Sequence, residues 1–127
     1  MSMVFAPLLA AGLLPVLCAG IAKAGRKDYD NRDPRAWATQ LEGYRARAQS
    51  AQANCHESFP FFAAALLAAV LAGVPGASVS MLGWLYVAVR LAYIGAYVSD
   101  RATLRSLIWL LGHGLIVWLL VLAMQAA

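Results

Sequence analysis

Four long apolar stretches decide what this chain can fold into. They cover residues 4–22, 51–74, 76–98 and 107–126. Each is close to the roughly 20 residues that a helix needs to cross about 30 Å of hydrocarbon. A backbone in lipid must satisfy its own polar groups, which leaves helices and closed barrels. The alternation over about ten residues that marks a barrel strand is absent. Apolar residues make up 62% and charged residues 13%, against about 45–50% and about 25% in soluble domains. Too little polar surface remains to coat a bundle in water. The chain therefore reads as all-α, an integral membrane four-helix bundle forming one domain over residues 1–127.

Residues 4–22 differ from a cleaved signal segment. Met1-Ser2-Met3 carries no Lys or Arg, and the basic residues follow the apolar run. Cys18 and Cys55 lack metal-ligand spacing, and no metal site is expected. Simple burial and a mutual disulfide both stay open for them.

Every basic residue except Arg90 lies in one of two connections, residues 23–50 and 99–106, which four spans place on one side. The positive-inside rule makes that side cytoplasmic and puts both termini outside. That arrangement fits a bacterial inner membrane with periplasmic termini. The formal charge of +4 then reflects orientation and contact with anionic lipid. Nucleic acid is excluded as a partner, since Asp28, Asp30, Asp33 and Glu42 interleave with the basic residues. Within the first connection, Asp33 and Pro34 suit a helix cap and first turn. Trp37, Leu41, Tyr44 and Ala48 then recur on one helical face. Such a helix either continues into the second span or bends near Gly43. Asp100 is expected to cap the fourth helix or pair with a nearby arginine.

Charges inside spans are expensive and usually partnered. Glu57 is the acid inside the second span, and Arg90 is the base deep in the third. Running the two helices in opposite directions brings Asn54 and Glu57 level with Arg90, Tyr93 and Tyr97. A Glu57–Arg90 pair, or one polar network with Asn54, would solve both desolvation problems. Such a pair could serve only to hold helices together. A ligand-binding reading adds Arg45, Arg47 and Arg105 at the same end, where arginines suit an anionic ligand. A tyrosine hydroxyl or an arginine there could also stabilise a thiolate. His56, His113, Trp84, Trp109 and Trp118 read as interface or packing residues. Gly83, Gly95 and the alanine-rich face over residues 63–69 permit close helix contact and favour an oligomer.

The stretch from Asn54 to Phe62, Asn-Cys-His-Glu-Ser-Phe-Pro-Phe-Phe, resembles the second-helix signature of the MAPEG family. These are membrane-associated proteins in eicosanoid and glutathione metabolism. The stretch from Arg90 to Tyr97 resembles that family's third-helix signature. The family includes microsomal glutathione transferases, leukotriene C synthase and a lipoxygenase-activating protein. The resemblance implies a homotrimer that binds glutathione between subunits near the cytoplasmic face. By position it implies that Asn54, Glu57, Arg90, Tyr93 and Tyr97 contact or support glutathione, with Arg45 and Arg47 nearby. It implies that Arg105, with Tyr93 and Tyr97, activates the thiol. The expected activity is a glutathione-dependent transferase or peroxidase acting on apolar electrophiles from the membrane lipids. Ser50 and Ser58 stand where leukotriene C synthase has an arginine and a tyrosine. The alternatives are a non-catalytic ligand- or lipid-binding protein, or a different anionic thiol. A small transporter would need a polar path that the outer half of the spans lacks.

Overall fold

A computed structural model describes residues 2–127. A 3-10 turn at Ser2–Val4 precedes five helices: α1 (Ala6–Lys23), α2 (Pro34–Ala38), α3 (Gly43–Leu71), α4 (Gly76–Val98) and α5 (Ala102–Ala126). All but α2 are long and apolar enough to cross a membrane. The most buried helix is α4, which packs against α1, α3 and α5, while α5 is the least buried. The most extensive helix–helix packing is between α1 and α3.

The half of the bundle nearer the chain termini is held by an apolar core. Phe62 of α3 stacks on Tyr86 of α4 with ring centroids 4.0 Å apart. Leu66, Val79, Ile116 and Leu119 close around that pair without exposure. Offset stacking of this kind adds about 0.5–1.5 kcal/mol to the burial itself. Toward the basic end the packing becomes smaller and more polar, with Cys18, Ala51, Cys55 and Tyr93 in one cluster. A third cluster of Ala22, Trp37, Leu41 and Ala48 seats the long connection on the ends of α1 and α3.

Several boundaries differ from the sequence expectation, each for a local reason. Asp33 caps α2 as expected, accepting from the Ala36 N–H at 3.1 Å. The helix nevertheless stops at Ala38, and α3 begins afresh at Gly43 with φ +61°. The helical face therefore does not carry across the break. Trp37, Leu41 and Ala48 are buried, whereas Tyr44 is exposed. The second span starts well before residue 51 and ends at Leu71. Gly73, at φ +86°, reverses the chain there, with the Val74 N–H bonded to the Ala69 carbonyl at 3.0 Å.

Another shift is at α5, which begins at Ala102 rather than residue 107. Asp100 causes it by taking φ 63° and ending α4. The Arg101 N–H bonds the Ala96 carbonyl at 2.9 Å, and the Asp100 N–H bonds the Tyr97 carbonyl at 3.1 Å. These two bonds close the last turn of α4 and leave Ser99–Arg101 as the whole connection. Asp100 neither caps α5 nor pairs with an arginine, contrary to expectation. Among the described residues the one ion pair joins Arg26 to Asp28, at 2.8 and 2.6 Å. Arg105 consequently belongs to a helix, not a loop.

Gly83 of α4 lies against Pro7 of α1, and a Cβ there would fall 2.6 Å from Pro7 Cγ. Gly83→Ala should therefore destabilise the bundle by about 1–3 kcal/mol, as overpacking does. Gly95→Ala meets nothing within 4 Å and should be neutral or slightly stabilising. Thermal denaturation of the two variants in detergent checks this.

The Arg26 hydrogen bond holds the Asp28 carboxyl down at about 2 from a usual 3.8. A depressed carboxyl favours the folded loop above its unfolded pKa and loses that contribution as pH falls through the folded one. NMR titration should show the Asp28 carboxyl protonating near pH 2. In Arg26→Gln its midpoint should return toward the ordinary carboxylate range.

Candidate functional site

Arg90 is the constraint from which the site is built. It is only 3% exposed and no carboxylate reaches it. Its Nη2 donates to Asn54 Oδ1 at 2.8 Å and to Cys55 Sγ at 3.3 Å. Its guanidinium carbon lies 4.2 Å from the centre of the Tyr93 ring. The Ser58 hydroxyl approaches Asn54 Oδ1 at 3.5 Å. The cation is thus held by an amide oxygen, a sulfur and an aromatic face. Cation–π contact adds about 2 kcal/mol when desolvated.

The expected Glu57–Arg90 pair does not form. Glu57 is exposed on the outside of the bundle. The reason is rotation about α3. At 100° per residue, Glu57 points about 160° away from Cys55, and Cys55 is the residue that touches Arg90. Asn54 lies between these directions and is the one that meets the cation. The depth match drawn between Arg90 and Asn54 is correct, and Asn54 does join a network with Arg90, but Glu57 does not.

Beyond Tyr93 the basic end opens into a cavity of about 440 Å³ between α4 and α5. Tyr93, Tyr97, Arg105, Ser106, Trp109 and Leu110 line it. The Arg105 guanidinium carbon lies 4.4 Å from the centre of the Tyr97 ring. Tyr97 in turn meets Tyr93 edge-on at 5.7 Å between centroids. Spacings of three and four residues put each helix's contributors on one stripe. The early start of α5 makes Arg105 part of the helix, on the face that meets Tyr97 of α4. The cavity offers a cation and phenols at one end and indole and leucine surface deeper in. It is suited to an anionic or polarisable group carrying an apolar body.

Arg45 and Arg47, expected at this mouth, are used elsewhere. Arg45 Nη1 donates to the Ala22 carbonyl at 3.0 Å, and Arg47 Nε donates to the Val98 carbonyl at 3.0 Å. Each closes the C-terminal end of a neighbouring helix, where unsatisfied carbonyls and the helix dipole favour a cation. They fasten α3 to the ends of α1 and α4.

Sequence reasoning missed Ser106, Trp109 and Leu110 as cavity residues. The available signal was their position on the Arg105 stripe, at one, four and five residues further on. Trp109 looked like a packing tryptophan, and it also packs, stacking on His113 at 4.1 Å between centroids. His113 touches Phe61 as well, at 5.7 Å, in keeping with a packing role. His56 is exposed.

These features define a polytopic membrane protein: a four-helix bundle with a buried arginine network and a polar-mouthed cavity at its basic end. A family model described as MAPEG family matches residues 3–125. The chain belongs to the MAPEG family and is an integral membrane protein. No curated protein matches it in a sequence search.

Among the described residues Asn54 supplies the one oxygen acceptor for the Arg90 cation. Asn54→Ala should cost about 1.5–3 kcal/mol, the worth of a hydrogen bond to a charged group. Asn54→Asp, which keeps an oxygen at that place, should recover most of it. Unfolding midpoints in detergent measure both.

Proposed function

We propose that the cavity between α4 and α5 binds glutathione at the cytoplasmic face. There the protein acts as a transferase or peroxidase on apolar electrophiles that partition from the membrane. The observation that carries this reading is Arg105 set against Tyr97 in a cavity that Trp109 and Leu110 also line. MAPEG membership supports it, since the family includes glutathione-dependent transferases and peroxidases as well as non-catalytic members.

In this reading the Arg105 guanidinium stabilises the glutathione thiolate, and the Tyr97 and Tyr93 hydroxyls orient it. The sulfur attacks an electrophilic carbon held against Trp109 and Leu110, and the leaving group departs toward water at the mouth. With a hydroperoxide the sulfur attacks oxygen, and a second glutathione completes the reduction. Arg90 sits behind Tyr93 and keeps that ring in place, with Asn54 as its support.

Glu57 supports assembly. An ionised carboxylate facing lipid at this depth is untenable, so the surface around it is best covered by another copy of the chain. A homotrimer with the site at the subunit boundary would bring Glu57 toward the ligand. The basic end faces the cytoplasm and the termini the periplasm of a bacterial inner membrane.

Arg45 and Arg47 are committed to helix-end carbonyls, which leaves Arg105 as the cation at the cavity. This favours a second reading, a ligand-binding protein without turnover. Calorimetry with glutathione on the detergent-purified chain, alongside conjugation of 1-chloro-2,4-dinitrobenzene, separates the two. Arg105→Ala should lower turnover by about 10²–10³-fold, the range for losing one donor to a developing anion. Binding without turnover in the unmodified chain supports the second reading. No binding at millimolar glutathione sinks the first.

A further inference from the structure

The cavity leaves one reactive cluster unused. Cys18 of α1 and Cys55 of α3 are both free thiols, and they belong to one buried cluster at the α1–α3 packing. Both side chains are buried inside that cluster. Arg90 Nη2 touches Cys55 Sγ at 3.3 Å, and Tyr93, packed in the same cluster, separates them from the cavity. The two sulfurs are therefore unlike. Cys55 accepts from a cation, and among the described residues Cys18 has no such donor. A cation beside sulfur stabilises the charge that sulfur carries when it attacks.

Each helix is also weakened beside its cysteine. Pro15 lies three residues before Cys18 in α1, and Pro60 five residues after Cys55 in α3. A proline inside a helix removes one backbone hydrogen bond, so local opening is easier at these levels than elsewhere in the spans.

We infer that Cys18 and Cys55 are an oxidation site that joins α1 to α3 by a reversible disulfide when the protein meets a hydroperoxide. Cys55 Sγ attacks one peroxide oxygen. The S–O bond forms, the O–O bond breaks, and the other oxygen leaves as an alcohol or water with the thiol proton. Cys18 Sγ then attacks Cys55 Sγ. The S–S bond forms, the S–O bond breaks, and hydroxide leaves with the second thiol proton as water. Two electrons pass from the thiols to the peroxide. A small thiol reductant returns them by two exchange steps. Cys18 is wholly buried and Cys55 is 3% exposed, so the site selects small or membrane-soluble peroxides. The linkage would clamp the two helices directly beside Arg90.

The test exposes the full chain in lipid nanodiscs to hydrogen peroxide and, separately, to cumene hydroperoxide. Peptide mass mapping follows, with alkylation of free thiols. Met3, Met81 and Met124 are exposed and serve as an internal dose gauge, because methionine oxidises to the sulfoxide. The expected result is joint loss of both thiols and a linked Cys18–Cys55 peptide before those methionines are half oxidised. A dithiol reductant should restore both thiols. In Cys18→Ser, Cys55 should accumulate as a sulfenic acid trapped by dimedone, whereas in Cys55→Ser, Cys18 should stay alkylatable. The inference is overturned if both thiols survive once the methionines are oxidised, or if Cys55 oxidises without linkage to Cys18. The mapping on the unmodified chain decides the matter even if a variant fails to fold.

Discussion

A single cation inside the bundle organises this protein. Arg90 sits on α4, the helix that touches α1, α3 and α5, so whatever satisfies Arg90 also sets how those helices meet. The solution uses no carboxylate. Asn54 gives an oxygen, Cys55 gives a sulfur, and Tyr93 gives a ring face. A guanidinium suits such a mixed shell because its charge is delocalised and weakly hydrated for a cation. The site follows from this arrangement. Tyr93 is held under Arg90 on one side and forms the cavity wall on the other.

The other arginines at this end illustrate how position alone divides one residue type into different tasks. Arg45 and Arg47 sit in the first two turns of α3, beside the last turns of α1 and α4, and their donors close helix-end carbonyls. Arg105 sits in the first turn of α5, where its own dipole favours anions and not cations. It finds instead the face of Tyr97. Of the three, Arg105 is the one left to line the cavity.

Much of this was legible in the residues. Span number, span length and the level at which Asn54 meets Arg90 follow from apolar run length and the antiparallel order of the second and third spans. What was not legible came down to rotation and helix ends. Glu57 was chosen as the partner of Arg90 because opposite charges attract, but a helix presents only one face to its neighbour, and Glu57 lies on the other. The cavity was only half visible for a related reason. Apolar runs mark hydrocarbon, and the first turn of α5 is polar enough to look like loop. Asp100 in a left-handed conformation ends α4 at Val98 with a connection of three residues, and that polar turn becomes helix.

The sequence by itself determined that the chain spans a membrane as four helices, since no other structure satisfies so long an apolar backbone in lipid. It also determined that Arg90 needs a partner, since burying an unpaired charge is too costly. Only the tertiary structure decided that Asn54 and Cys55 would be that partner and that Cys18 would lie behind them. It alone turned Glu57 outward and closed Arg105 over Tyr97. These outcomes depend on helix azimuth and on where each helix stops. Both are set by packing across the whole bundle, which no local pattern of residues encodes.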